Sequence, residues 1–208
     1  MTRIIHHAGL LLATLLLSAT LGAATADDPQ RLVRAMADDV LSEVVARRDE
    51  LAADTAALYR LVEERVIPHL DFRLITQLAV GRYWRRADAA QQERLTEEFK
   101  NLLMRTYTTA LLSYSDQRLE YPPYTLEPDA TQTSVPVKVF QADAPPVTVL
   151  YRMHRRNGPW QVYDVVIDNI SLVTNYRSDF SRRIQQTGVD GLIAQLAAKN
   201  AEGTATGE

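Results

Sequence analysis

Cysteine is absent from all 208 residues, so no disulfide can stabilise this chain and no thiol is available for a metal or for lipid attachment at a mature N-terminus. Histidine is scarce. His6, His7, His69 and His154 form no His-x-His pair, and without cysteine nothing resembles a zinc ligand set. Beyond the N-terminal region no apolar run is long enough to span a bilayer. Gly-x-Ser-x-Gly, a glycine-rich phosphate loop and a dinucleotide fingerprint are all missing, which removes the common hydrolase, nucleotidase and Rossmann chemistries. Nor does one charge sign dominate. The 23 basic and 26 acidic residues leave a small negative balance, which argues against nucleic acid as a partner.

What is present starts with Arg3, an apolar run from Ala8 to Leu21, and the small residues Gly22-Ala23-Ala24-Thr25-Ala26. That pattern predicts a signal peptide over 1–26, cut after Ala26, and hence an exported protein. Taking 26 residues from 208 leaves a mature chain of 182, which suits one domain, over 27–200, with a small polar, disordered tail at 201–208.

The first half of the mature chain has helical periodicity. Leu32, Met36, Val40 and Val44 recur from Pro29, with Val33, Leu41 and Val45 beside them. A second helix is expected from the cap Asp54 to about Ile67, where Pro68 stops it. A third covers Phe72 to Val80, from Asp71 to Gly81. A fourth, opened by an Asp88/Gln91 capping box, carries a stripe from Leu95 to Tyr114. After Ser115 the period changes to two. Four strands are expected: Gln117 to Leu126, bent or edge-placed by Pro122-Pro123, then Thr133 to Phe140, Val147 to Met153, and Trp160 to Ile167 after an Asn157-Gly158 turn. Helices from Leu172 to about Gln186 and from Val189 to Lys199 close the chain, separated by Gly188. Short connections make this an α+β fold, a four-stranded antiparallel meander packed against several helices. So much apolar surface is available that an internal pocket is expected, although periodicity alone is equally served by ordinary core packing.

Two groups of motifs break that tie. Trp160-Gln161-Val162-Tyr163-Asp164 through Asn175-Tyr176-Arg177, followed by Phe180 and Gly188-Val189-Asp190-Gly191-Leu192-Ile193, form one. Pro68-His69-Leu70-Asp71-Phe72, Gly81-Arg82-Tyr83-Trp84, Gln91 through Phe99, and Tyr107 form the other. Together they resemble the MlaC or toluene-tolerance auxiliary family across nearly all of the mature chain, with Asn169 standing where glycine is expected. The resemblance implies a periplasmic phospholipid-binding carrier, a monomer with lipid as its cargo and no cofactor. It implies shuttling between an inner-membrane ABC transporter complex with an MCE-type subunit and an outer-membrane lipoprotein complex, which maintains outer-membrane lipid asymmetry. A relative within that family is associated with hopanoids, so another lipid is the alternative cargo.

The expected pocket wall is Val137, Val139, Val149, Tyr151, Met153, Tyr163, Val165 and Ile167 on the sheet, faced by Phe72, Ile75, Leu78, Phe99, Leu103 and Tyr107 from helices. Arg82, Arg85 or Arg86 is expected to meet the phosphate at the mouth. No catalytic or metal-binding residue is assigned. The competing enzyme reading would use Asp164 and Asp168, four apart on a strand and about 13 Å from each other, too far for a paired acid and base. A third reading is an adaptor whose apolar stripes bind protein.

Overall fold

Aspartates open the helices. Asp28 Oδ1 accepts from the Gln30 and Arg31 amides at the start of α1 (Pro29–Ala46). Asp54 accepts from Ala57 N–H to open α3 (Thr55–Arg65), and Asp71 does so from Leu74 N–H to open α4 (Phe72–Val80). Asp88 and Gln91 bond reciprocally at the head of α5 (Ala89–Tyr107), the capping box expected from the sequence. Each cap satisfies amides that the helix cannot, a gain of about 1 kcal/mol. The computed structural model describes residues 28–115, 117–142, 144–156 and 158–202. The expected signal peptide, Asn157 of the expected Asn-Gly turn, and 203–208 of the expected tail lie outside the described residues.

Three helical details differ from expectation. A short α2 (Arg48–Ala53) separates α1 from α3. Pro68 falls in a 3-10 turn, Ile67–His69, after α3 has already ended. The apolar stripe of α5 continues to Ser113 only as a second 3-10 segment, Thr108–Ser113, because Arg48 reaches across to the carbonyls of Leu112 and Tyr114 and holds the tighter turn.

The sheet has five strands rather than four: β1 (Arg118–Glu120), β2 (Gln132–Gln141), β3 (Ala144–His154), β4 (Gln161–Ile167) and β5 (Ile170–Ser171), antiparallel neighbours in chain order. The extra strand follows a two-residue turn. Asp168 (φ 46°) and Asn169 (φ 69°) both occupy the left-handed region, which asparagine and aspartate tolerate best after glycine, so the chain reverses between β4 and β5. The first strand is also much shorter than expected, since the residues around Pro122-Pro123 leave the ladder. A β-bulge interrupts β4: Arg152 pairs with Asp164 and Met153 with Val162, so Tyr163 is the inserted residue.

α6 (Leu172–Glu202) breaks at Gly188, whose φ of 75° and ψ of −179° suit glycine alone, giving the two closing helices expected. Its second arm runs through Ala201 and Glu202, which the sequence placed in the tail.

The apolar residues divide into clusters. Between α4, α5 and α6 lie Ile75, Leu95, Phe99, Phe180, Leu192 and Ile193, with Trp84 in the same cluster. Phe99 meets Tyr176 and Phe180 edge-on, ring centroids 4.8 and 4.9 Å away. One sheet face carries Val135, Val137, Met153, Trp160 and Val162, closed by Val33 of α1 and by Tyr121, Tyr124, Leu126 and Ala130 of the irregular strap after β1. Val40 and Val44 of α1 pack on Leu51, Leu58 and Leu61 in a third. Leu70 touches both of the first two clusters.

Candidate functional site

Helix α1 uses Val33, Val40 and Val44 to bury itself, and this leaves Leu41, Val45 and Ala46 on a flank with no helix against it. Val45 is 51% exposed. Opposite this flank stand Tyr114, Leu119 and Tyr121, and between them runs a groove of about 700 Å³. Leu119 and Tyr121 also pack on the sheet cluster, so the groove borders the strap-covered sheet face. The strap is tied to α1 by the Gln30 side-chain amide, which donates to Pro122 O at 2.8 Å.

The groove's rim is polar. Arg34 stacks on the Tyr121 ring with its guanidinium carbon 4.0 Å from the centroid, and Arg118 stacks on Phe140 at 4.3 Å while pairing with Glu120 at 3.3 Å. Asp38 and Ser42 lie along α1 between them and Val45. The Tyr121 hydroxyl is buried without a hydrogen-bond partner. Burial, reinforced by the nearby Asp38 carboxylate and opposed by Arg34, pushes its phenol up to about 12. Tyr151, deeper on the sheet face, is pushed up by burial alone. Apolar walls with guanidinium groups at the lip suit an amphiphile with a hydrocarbon body and an anionic head.

The fourteen wall residues expected from the sequence do not meet across one space. Phe72, Ile75, Leu78, Phe99 and Leu103 belong to the helical cluster, while Val137, Val149, Tyr151, Met153 and Val165 belong to the sheet cluster. Val139 pairs with Leu119 at the groove side of the sheet. Tyr107 and Ile167 are exposed. Tyr163 is a correction. The bulge turns it to the opposite face, where its ring packs edge-on to His154 at 5.8 Å. Arg82, Arg85 and Arg86 are exposed on the 3-10 turn Gly81–Arg86 beside Tyr83 and Trp84, and none of them lines the groove. Sequence reasoning missed Arg34, Asp38, Leu119 and Tyr121. The available signal was the apolar flank of Leu41 and Val45 outside the main stripe of α1.

The polar residues on the opposite sheet face are committed to structure. Asp164, 3% exposed, accepts from Arg152 (3.1 Å), Ser171 Oγ (2.7 Å) and Val173 N–H (3.1 Å), which fixes β4 to the start of α6. Asp168 accepts from Thr148 N–H at 3.1 Å. His154, which appeared isolated in the sequence, has Nε2 3.0 Å from Asp71 Oδ2, and Asp71 N–H donates to Val162 O at 2.9 Å. Among the described residues no three acidic or histidine side chains converge as a metal site.

The sequence model of the family described as MlaC protein matches residues 34–198 of this chain. The chain belongs to the MlaC family. Among MlaC relatives, it is 25% identical over 171 residues to the intermembrane phospholipid transport system binding protein MlaC of Haemophilus influenzae, covering 81% of this chain and 80% of that one. It is 27% identical over 179 residues to the toluene tolerance protein ttg2D of Pseudomonas putida, covering 83% of each. A phospholipid-binding protein from Ralstonia solanacearum, solved in complex with a phospholipid, has the same fold with a TM-score of 0.77 and 33% identity, over 84% of this chain and 98% of that one. No described helix of this MlaC-family chain is long and apolar enough to cross a membrane.

Proposed function

We propose that this chain is a periplasmic phospholipid carrier, holding acyl tails in the groove and along the strap-covered sheet face. The observation that carries the reading is the Ralstonia solanacearum neighbour, a same-fold relative that contains a phospholipid. The open apolar groove beside α1 supports it independently. A diacyl lipid with roughly 30 methylene groups, at about 0.8 kcal/mol each, would lose about 24 kcal/mol on entering water, which forbids rapid unassisted transfer. A protein groove removes most of that cost. Because bilayer and groove are both apolar, exchange between them is nearly neutral, so direction must come from the docking partners. The proposed partners are an inner-membrane ABC transporter complex with an MCE-type subunit and an outer-membrane lipoprotein complex, with this chain acting between them as a monomer.

No catalytic reading gains support from the geometry. Asp164 and Asp168 spend oxygens on backbone and side-chain donors that hold β3, β4 and α6 together. The test is native mass spectrometry of the mature protein from a Gram-negative periplasm, followed by organic extraction. Stoichiometric phospholipid is the expected result, a hopanoid would change the cargo, and a clean apo mass would overturn the carrier reading.

A further inference from the structure

Charged residues on α1 are mostly spent. Asp28 pairs with Arg31 at 3.4 Å, Asp39 with Arg65 at 3.1 Å, and Glu43 with Arg47 at 2.7 Å. Arg34 and Asp38 differ. They sit one helical turn apart, about 6 Å along the axis, in the spacing that favours an ion pair, yet neither has an ion-pair partner among the described residues. The Tyr121 ring holds the Arg34 guanidinium by stacking. Both residues line the groove, and so does Tyr121, whose hydroxyl has no partner. At the other side of the rim Arg118 is already neutralised by Glu120. The groove's edge therefore offers one unmatched cation and one unmatched carboxylate.

We propose that Arg34 and Asp38 form a headgroup subsite for a zwitterionic phospholipid, with phosphate on Arg34, which the Tyr121 ring holds by stacking, and a primary ammonium on Asp38. This rests on the carrier reading and refines it to a lipid class. The guanidinium donates to phosphate oxygens, and the carboxylate accepts from an ammonium that donates in several directions. A headgroup with a phosphate but no cation gains the first contact and meets an unrelieved carboxylate at the second. Because the rim is solvated, discrimination is modest, about two- to five-fold, as for exposed ion pairs.

The test loads the mature protein from vesicles of equimolar phosphatidylethanolamine and phosphatidylglycerol and reads the bound ratio by native mass spectrometry. The wild type should enrich phosphatidylethanolamine about two- to five-fold. Asp38→Lys should reverse the preference and Asp38→Asn abolish it, and the exposed position leaves the fold intact. Bound lipid in the vesicle ratio, or an Asp38→Lys ratio equal to wild type, would overturn the subsite and leave the carrier reading standing. No bound lipid at all would overturn both. Free phosphoethanolamine, titrated by calorimetry, should bind far more weakly than the lipid. Equal affinity would reassign the rim to soluble phosphate compounds.

Discussion

The helical cluster and the sheet cluster are built from the same kinds of residue and differ in how they are closed. Phe99, at 0% exposed, meets two edge-on rings in a cluster built from three helices. The sheet face is covered by one helix and an irregular strap, and it leads out through Leu119 and Tyr121 into a groove. The strap also leaves two buried hydroxyls, those of Tyr121 and Tyr124, unpaired. What separates a binding wall from a core is the unfinished part: the missing neighbour and the unmatched polar atom.

Truncation should separate the two regions most strongly. Phe99→Ala opens a hole inside the helical cluster and is expected to cost about 3–5 kcal/mol in denaturant unfolding, with the bound lipid of the surviving folded fraction unchanged. Overfilling comes next. Leu95→Trp, at a fully buried site, should lower stability by about 1–3 kcal/mol, whereas Val149→Trp on the half-buried sheet face should keep its melting temperature and lose lipid. If Val149→Trp destabilises and retains lipid, the sheet face is core and the comparison fails. Gly188→Ala probes the join that brings Leu192 and Leu196 onto the helical cluster. No atom lies near the added methyl group, so the backbone conformation alone sets an expected cost of about 1–2 kcal/mol.

The smallest effect concerns pH. Tyr121 in the groove and Tyr176 in the helical cluster are both pushed up to about 12 by burial. An unfolded tyrosine titrates near 10. The unfolded chain thus loses these protons first, so the contribution is complete below about pH 10 and is lost as pH rises towards 12. Tyr121→Phe and Tyr176→Phe should each make alkaline unfolding shallower between those values, measured as melting temperature against pH.

Local signals in the sequence were legible. The caps at Asp54, Asp71 and Asp88, the stop at Gly81 and the break at Gly188 all depend on one or two side chains and their own backbone. The hairpin at Asp168-Asn169 was not read, because aspartate and asparagine are as common at helix starts as in turns. The bulge at Tyr163 was hidden for a different reason. An alternating pattern carries no mark of an inserted residue, so everything on one side of it shifts face unannounced. Apolar periodicity showed which faces of α4, α5 and β3 are buried. It did not show that α4 and α5 face each other and α6 while α1 faces the sheet, because partner choice is a property of the whole chain.

The brevity of β1 has a further consequence. A long, flat strand at the border of a sheet exposes a row of free amides and carbonyls on which other molecules can zip and polymerise. Here the border strand is three residues long and is followed at once by Tyr121-Pro122-Pro123, where two positions lack an amide hydrogen. A chain that keeps a greasy cleft open to solvent beside that border is thereby protected from templating its own aggregation.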